Sequence, residues 1–304
     1  MTLLLPLLRA IRARVQGLSP ERAWRLGLLG GRLLDLFGPG RARLRENLEI
    51  VLRRPPTREE VAWLSRGFYR HFALGVIELL REPLVTRQNL HEVVTRDGLE
   101  RARRVIRPGE PVILVTGHAG QFELAGHMGA LVGLRLTSMA KFSGHPGFDE
   151  FVLDLRQSGG QRVIPVQGAL WAMKKALDRG EAVGINVDQQ AREDPVFAPF
   201  LGVLAATSPT PAQLHLRTGA PIAVVTVERR GRFFYAVHLE DVIRHAPGGD
   251  RDADVLAITA RVNAALEQAI RRRPEQWFWT HRRFRRRAPG DAQAPASPPL
   301  ELGS

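Results

Sequence analysis

Helical periodicity dominates the first eighty residues of the chain. The Ser19–Glu21 segment has the pattern of a helix start, with serine as the N-cap and proline at the first helical position. The Gly-Pro-Gly sequence at residues 38–40 ends that helix. Thr57 opens another helix, because Glu60 three residues later completes a capping box. The N-terminal region is therefore predicted to consist of amphipathic helices.

Beyond residue 108 the pattern changes to short apolar runs that alternate with helical segments. Residues 111–116 form a short apolar run, as expected of a strand that is buried on both faces. The further predicted strands are 135–140, 162–166, 182–188, 221–227 and 233–239. The predicted helices between and after them are 121–132, 148–157, 169–179, 209–218 and 252–273.

This alternation predicts an α/β fold, a three-layer sandwich with a central, largely parallel mixed sheet, preceded by an N-terminal helical segment. The pattern also divides the chain into three parts. Residues 1–107 are predicted to form a cap of amphipathic helices, and residues 108–287 the α/β domain. Residues 288–304, rich in Pro, Ala, Gly and Ser, are predicted to be a disordered tail.

Composition narrows the class of protein. The 304 residues are 44% hydrophobic, which is enough to bury a sizeable core and excludes wholesale disorder. No stretch approaches the ~20 uninterrupted apolar residues that span a bilayer, so a polytopic membrane protein is excluded. The absence of cysteine excludes disulfides, thiolate metal sites and a cysteine nucleophile. A net charge of +13 favours a polyanionic partner, such as nucleic acid, anionic lipid or an acidic protein.

The candidate chemistry lies where the 111–116 strand passes into the next helix. His118 stands just past the strand, and functional sites in open α/β sheets form at such strand ends. Glu123 lies about one turn into the helix. We expect its carboxylate to hydrogen-bond one ring nitrogen of His118, which leaves the other nitrogen as a base. Gly117 and Gly120 expose backbone N–H groups near the helix start, so Gly120 is a candidate oxyanion donor.

Other interpretations of these residues stay open. A histidine at a strand end is often structural. Glu123 and His127, four residues apart on one helix face, could join His118 as the ligands of a metal hydrolase, but no obvious fourth ligand follows. The charge and the basic run at 282–287 would suit a nucleic-acid-binding protein, yet no known binding motif is present. We expect no metal, no cofactor and no nucleic-acid partner.

Five segments together resemble one protein family. The His-x4-Glu element, His118 to Glu123, is similar to the signature of the late acyltransferases of lipid A biosynthesis, the lauroyl and myristoyl transferases, within the wider glycerolipid and lysophospholipid acyltransferase superfamily. The other segments that carry the resemblance are Asn47-Leu48 with Glu78-Leu79, Leu155-Arg156 with Gly159-Gly160, the block from Asp188-Gln189 through Phe197–Gly202 to Gly219–Pro221, and the closing Pro274–Phe284.

The resemblance implies a membrane-associated O-acyltransferase. Such an enzyme moves a fatty acyl chain from a thioester to a hydroxyl of a lipid A-type precursor or another membrane glycolipid. The implied donor is acyl carrier protein, or alternatively acyl-CoA, and either polyanion suits the basic chain. A phospholipid or a phosphatidylinositol mannoside is the alternative acceptor. Direct attack needs no enzyme nucleophile, which agrees with the absence of cysteine and of a Gly-x-Ser-x-Gly elbow.

Four further side chains are predicted to contact substrate. The guanidinium of Arg156 could bind an acceptor phosphate or steady an oxyanion. Asp188 should reach the carboxyl edge of the sheet, because it closes an apolar strand. Gln189 belongs to the same block, and Lys141 takes a position where the family often has arginine. The alternative for Arg156 is a place on a solvated helix face, and the alternative for Asp188 is a helix or turn cap.

Two apolar segments and one basic segment are predicted to contact lipid. Phe197 and Phe200 are expected to line the acyl chain, with a place in the core as the alternative. The basic segment 281–287 is expected to bind phospholipid headgroups or an acidic carrier protein. The Leu3–Leu8 run and the arginines at 9, 12 and 14 have the pattern of an interfacial anchor. These features predict peripheral or monotopic attachment to the cytoplasmic face of the inner membrane.

Overall fold

The computed structural model describes residues 4–286, 288 and 300–302. The helices that precede the sheet are α1 (Leu4–Gln16), α2 (Pro20–Phe37), α3 (Arg41–Leu52), α4 (Arg58–Arg81), α5 (Leu90–Val93) and α6 (Arg96–Val105). Ser19 caps α2 by accepting a hydrogen bond from the Arg22 N–H, and Thr57 forms the capping box of α4 with Glu60. Both predicted helix starts are confirmed.

Strands and helices then alternate along the chain. The strands are β1 (Val112–Thr116), β2 (Leu136–Ala140), β3 (Arg162–Pro165), β4 (Ala182–Asn186), β5 (Val196–Phe200), β6 (Val203–Thr207), β7 (Ile222–Gly231) and β8 (Phe234–Ile243). The helices are α7 (Phe122–Leu131), α8 (Pro146–Gln157), α9 (Ala169–Asp178), α10 (Thr210–Thr218) and α11 (Arg251–Arg272).

The central sheet has the strand order β3-β2-β4-β1-β7-β8. β1 is parallel to β4 and β7, and β2 is parallel to β3 and β4. β8 is antiparallel to β7. The predicted fold class, a mixed and mostly parallel sheet preceded by a helical segment, is confirmed.

A separate hairpin of β5 and β6 is absent from the sequence-based prediction. Its turn is formed by Leu201 and Gly202, with positive φ angles of 50° and 75°. Such a turn matches the twist of two antiparallel strands. The hairpin packs on α11, where Asn263 Nδ2 donates to the Pro199 carbonyl and Glu267 accepts the Leu201 N–H. Proline inside a short apolar run hid β5, because proline argues against a strand.

The N-terminal helices share a hydrophobic core with the sheet. Leu44 and Leu48 of α3 and Leu64 and Phe68 of α4 are fully or almost fully buried, in the same cluster as the residues of β1 and β4. Contacts of this kind bury apolar surface that isolated helices would expose. The division at residue 107 stays a prediction, and most of the predicted tail, 288–304, lies outside the described residues.

Helix α2 has two contrasting faces. Gly27 and Gly31 lie so close to α4 that a Cβ atom at either position would come within 2.7 Å of Leu74 Cδ2 or Arg70 Cα. These two glycines therefore allow a close approach of α2 to α4. The side chains left exposed on α2 are Leu26, Leu29, Leu33, Leu36 and Phe37. In the part of the chain that the structure describes, no helix combines the length and hydropathy needed to cross a bilayer.

Candidate active site

The sheet order brings two polar residues together at one edge. β1 and β4 are parallel neighbours, and Thr116 at the end of β1 lies opposite Asn186 at the end of β4. His118 follows β1 by two residues, and Asp188 follows β4 by two residues. Because parallel strands end at the same edge, both side chains emerge at the carboxyl rim of the sheet, where α/β proteins place their sites.

Asp188 is the carboxylate that orients His118. His118 Nδ1 donates to Asp188 Oδ1 at 2.7 Å, and the His118 backbone N–H donates to Oδ2 at 2.7 Å. Trp277 Nε1 donates to the same Oδ2 at 2.8 Å. Asp188 is buried, and a Cβ at Gly117 would come within 3.0 Å of its carboxylate. Three donors and a close glycine therefore fix this carboxylate against the imidazole.

The charges of this pair reinforce one another. Burial opposes the ionisation of Asp188, but the charge of His118 and the hydrogen bonds from His118 and Trp277 outweigh it and lower the pKa of Asp188 to about 2. Burial also opposes a charge on His118. The Asp188 carboxylate, by charge and by hydrogen bond, and the charge of Glu123 nevertheless raise the pKa of His118 above its ordinary value. His118 is thus a stronger base than an isolated histidine.

The second ring nitrogen of His118 faces the open side of the site. Gln189 Nε2 donates to His118 Nε2 at 3.1 Å, which places an amide beside the nitrogen that can accept a proton. The ring of Phe122 covers the imidazole, with the two ring centroids 4.6 Å apart. His118 keeps 17% of its side chain exposed, whereas Asp188 keeps 2%. A substrate can therefore reach the imidazole but not the carboxylate behind it.

Glu123 has a different partner from the one predicted. Arg156 on α8 donates from Nε to Glu123 Oε2 at 2.8 Å and from Nη2 to Oε1 at 2.5 Å. Glu123 was predicted to accept the hydrogen bond from the His118 ring, but Asp188 accepts it instead. Because β1 and β4 are neighbours, Asp188 lies closer to the ring than Glu123 does. Glu123 still contributes to the pKa of His118 through its charge. The predicted Arg156 is part of the site, as the bidentate partner of Glu123.

The loop that carries His118 is tied down by its backbone. The Gly120 N–H donates to the Gln276 carbonyl at 2.9 Å, and the Gln121 N–H donates to the Val227 carbonyl at 2.6 Å. Gly120 has a φ of 65°, and a Cβ there would lie 2.1 Å from the Val227 carbonyl oxygen, so glycine is required. Gly120 was predicted to donate its N–H to an oxyanion. The structure does not agree, because this N–H already donates to the Gln276 carbonyl.

A buried ion pair supports the same loop from below. Arg229 on β7 donates from Nε to Glu78 Oε1 at 2.6 Å, and its Nη2 contacts Glu78 Oε2. Glu78 also accepts from Gln121 Nε2 at 2.6 Å. The Glu78 and Arg229 side chains are 3% and 6% exposed. Gln276 joins β7 to the closing segment, because it exchanges two hydrogen bonds with the backbone of Arg229.

A cavity of about 100 Å³ with a partly apolar lining opens beside Glu123 and Arg156, and we call it the sheet cavity. Its apolar lining residues include Leu114, Phe122, Ala125, Leu136, Met139 and Val225. Gly184 of β4 lines it as well, and the missing side chain leaves space above the sheet. Phe122 lines this cavity and also contacts His118, so an apolar chain inside would place its end next to the imidazole.

The phenylalanines predicted to line the acyl chain lie elsewhere. Phe200 is fully buried between Trp277 and Phe284, with ring centroids 5.8 and 6.3 Å away. The guanidinium of Arg286 lies over Phe197. Both belong to β5 of the β5–β6 hairpin, and neither lines the sheet cavity.

The remaining predicted site residues do not form a metal centre. His127 donates from Nε2 to the Val85 carbonyl at 2.8 Å, and its Nδ1 lies 3.3 Å from Glu82 Oε1. Across residues 4–286, 288 and 300–302, no three His, Asp or Glu side chains are arranged to hold a metal ion. Lys141 is exposed just beyond the end of β2.

The basic segment 281–287 is partly internal. Arg283 is completely buried and donates to the Ala206 carbonyl, the Gln189 carbonyl and Thr207 Oγ1. Burial lowers the pKa of Arg283 to about 10, and the nearby Asp188 charge partly offsets this. Arg283 thus positions the backbone of Gln189 and is removed from the predicted headgroup-binding surface. Arg282, Arg285 and Arg286 are exposed, and Arg287 lies outside the described residues.

The sequence joins this site to a known enzyme class. The family model of bacterial lipid A biosynthesis acyltransferases matches residues 8–286. The chain belongs to this family, which makes it an O-acyltransferase. The family resemblance predicted from the five sequence segments is therefore confirmed.

Characterised relatives cover most of the chain. The lipid A biosynthesis palmitoleoyltransferase of Escherichia coli (strain K12) is 25% identical over 252 residues, which are 82% of this chain and 79% of the relative. The lipid A biosynthesis acyltransferase of Shigella flexneri matches with the same values. The lipid A biosynthesis lauroyltransferase of Escherichia coli (strain K12) is 25% identical over 276 residues, 88% of this chain and 86% of the relative.

Proposed function

We propose that the protein transfers a fatty acyl group from an acyl thioester to a hydroxyl of a lipid A-type precursor, with His118 as the general base. The contact of 2.7 Å between His118 Nδ1 and Asp188 Oδ1, at the rim of the sheet and next to a partly apolar cavity, carries this proposal. It fixes the tautomer in which Nε2 accepts a proton.

The reaction needs one base and no covalent enzyme intermediate. His118 Nε2 takes the proton of the acceptor hydroxyl as the oxygen attacks the thioester carbonyl. The new C–O ester bond forms, the C–S bond breaks, and the imidazolium returns the proton to the departing thiolate. Asp188 stabilises the imidazolium through Nδ1. General-base catalysis of this kind contributes roughly 10²–10⁴-fold to the rate.

Glu123 and Arg156 act as an electrostatic unit beside this base. The Glu123 charge favours the imidazolium, and Arg156 holds the carboxylate in place through two hydrogen bonds. Both side chains line the sheet cavity, into which we place the acyl chain of the donor. Lys141, exposed past the end of β2, is proposed to meet a phosphate of either substrate.

An assay of acyl transfer tests the proposed function. Purified protein is incubated with lauroyl or palmitoleoyl acyl carrier protein and a lipid A precursor, and the lipids are examined by mass spectrometry. We expect the acceptor to gain one acyl group. Parallel reactions with acyl-CoA, with a lysophospholipid and with a phosphatidylinositol mannoside identify the donor and the acceptor. Acylation confined to one of the last two acceptors would replace lipid A precursor as the substrate.

We further propose that α1 and α2 hold the protein on the membrane that contains the acceptor. Leu36 and Phe37 of α2 are 75% and 80% exposed, and Leu7 and Ile11 of α1 are also exposed. Single exposed leucines are ordinary, but a row of them along one helix marks an interaction face. Arg9, predicted to meet lipid headgroups, instead pairs with Glu150 and Asp154 and ties α1 to α8. The apolar face of α2 therefore supplements the predicted anchor.

Replacing Leu33 and Phe37 together by glutamate should remove most of the binding to vesicles that contain anionic lipid, because two charges would have to enter the acyl boundary. Co-sedimentation measures this, and replacement of the exposed Leu256 on α11 by glutamate serves as the control. Wild-type binding should persist in ~1 M salt, where the Debye length is only ~3 Å. Full release by salt would show that charge alone holds the protein.

A further inference from the structure

A second cavity, of about 340 Å³, lies on the opposite side of α7 from the sheet cavity, and we call it the α4–α7 cavity. Its walls come from the end of α4, from α5, from the start of α7 and from β8. Its volume falls within the range of ~300–1,000 Å³ that is usual for ligand pockets. The mechanism described above makes no use of it.

Glu123 lines both cavities. The two spaces therefore meet at the carboxylate that neighbours His118, one on each side of the first turn of α7. A ligand that fills either cavity ends close to the reacting atoms. This geometry suits a reaction in which two chains must be present at once.

Resting on the proposed function, we infer that the α4–α7 cavity binds a hydrocarbon chain of the acceptor lipid while the sheet cavity holds the acyl chain of the donor. Direct transfer without an enzyme-bound acyl group requires donor and acceptor in one complex. The sheet cavity, at about 100 Å³, is the smaller of the two and is already assigned to the donor chain. The α4–α7 cavity supplies room for a second chain on the other side of Glu123.

The lining of the α4–α7 cavity suits a hydrocarbon chain. Its apolar surface comes from Leu79, Leu84, Val85, Val93, Leu124 and Phe233. The Glu78 carboxylate in its wall has partners in the protein, because it binds Arg229 and Gln121. Burial raises the pKa of Glu82 well above its ordinary value, which favours the neutral form of that carboxyl group. Arg81 donates to the Val15 carbonyl at the end of α1 and to the Leu18 carbonyl in the connection to α2, and it lies against the Phe233 ring. Glu78 and Arg81 are therefore held by other parts of the protein, and the apolar side chains named above are left to contact a hydrocarbon chain.

The position of this cavity assigns it to the acceptor lipid and not to the donor. Pro20, the first residue of α2, lies in its wall together with Phe233. Helix α2 carries the exposed apolar face that we place against the membrane. The helix that we place against the membrane therefore also contributes to the wall of this cavity. The donor thioester is delivered from solution.

Matched cavity-filling variants test the inference. Val93→Trp fills the α4–α7 cavity from α5, Leu79→Trp fills it from α4, and Ala125→Leu fills the sheet cavity. We expect the two tryptophan variants to raise the KM for the lipid A precursor by about tenfold or more, with the KM for acyl carrier protein and the preferred donor chain length unchanged. Ala125→Leu should shift the donor preference to shorter chains and leave the acceptor KM unchanged. Thermal unfolding confirms that each variant is folded.

A photoreactive substrate gives a readout independent of turnover. A lipid A precursor with a diazirine on one acyl chain is irradiated with the His118→Ala variant, and labelled peptides are identified. Labels on residues 79–93, on Gln121 or on Leu124, which line the α4–α7 cavity and not the sheet cavity, support the inference. Labels along β1, β2 and β4, or an unchanged acceptor KM in both tryptophan variants, overturn it. Wild-type turnover of the unmodified precursor, measured in parallel, shows separately whether the proposed function holds.

Discussion

Replacing His118 by alanine is expected to lower kcat for acyl transfer by roughly 10²–10⁴-fold, which is the usual contribution of a positioned general base. Of the hydrogen-bonded pair His118 and Asp188, only the His118 ring can be reached by substrate. The loop after His118 is held by backbone hydrogen bonds to Gln276 and Val227, which do not involve the His118 side chain. The variant should therefore stay folded, with a thermal midpoint near that of the wild type. A folded variant with wild-type kcat would exclude His118 as the base.

The pH dependence of kcat/KM in the Asp188→Asn variant shows whether Asp188 orients and charges the His118 ring or only stabilises the fold. In the wild type, the neutral form of His118 is the base, so kcat/KM should rise with pH through a pKa that lies above the ordinary value of 6.5. Asparagine removes the charge that raises this pKa. We expect the midpoint to move to lower pH and the plateau rate to fall, because the favoured tautomer is lost. An unchanged midpoint would contradict the assigned role of Asp188.

Replacing Glu78 by alanine is expected to reduce the free energy of unfolding by about 3–5 kcal/mol, because it leaves the buried Arg229 guanidinium without its counter-charge. Urea denaturation measures the loss. Activity should fall as well, since Gln121 loses the acceptor of its Nε2 amide beside the catalytic loop. The control is the exposed pair of Lys174 and Asp178, where Asp178→Ala should cost less than about 1 kcal/mol.

A double replacement tests the same ion pair in the opposite direction. Glu78→Leu combined with Arg229→Met removes both charges and leaves no unpaired buried ion. We expect it to recover most of the stability lost in Glu78→Ala, because well-packed apolar residues often replace a buried pair at little cost. A double variant that is as unstable as the single variant would show that the hydrogen bonds to Gln121 and His71 outweigh the charge.

The order of elements could be predicted because each one has a local cause. A continuous apolar run such as residues 111–116 is typical of a parallel strand that is buried on both faces. The capping box at Thr57 marks the residue at which a helix begins. The β5–β6 hairpin could not be predicted in the same way. Its strands are short, Pro199 interrupts one of them, and packing on α11 from the far end of the chain stabilises them.

The partner of His118 depends on information that no local pattern contains. Seventy residues separate His118 from Asp188, and β2 and β3 lie between them in the chain. The sequence predicts that both reach the carboxyl rim, but the adjacency of β1 and β4 decides which carboxylate meets the ring. Glu123 was the nearer candidate in sequence, and Arg156 on α8 binds it instead. Trp277 was missed for the same reason, although it lies in the closing segment that carries the family resemblance.

The closing segment has a consequence for how the protein matures on the ribosome. Trp277 binds Asp188, the Phe278 N–H donates to the His118 carbonyl, and Arg283 holds the Gln189 backbone. Chains are made from the N-terminus and their early parts fold first. The strands of the sheet are all synthesised before these residues emerge from the ribosome. The hydrogen bonds that fix Asp188, His118 and Gln189 can form only when residue 283 has left the exit tunnel. A nascent chain therefore cannot acylate a substrate until its last forty or so residues have begun to emerge and the closing segment has packed on the sheet.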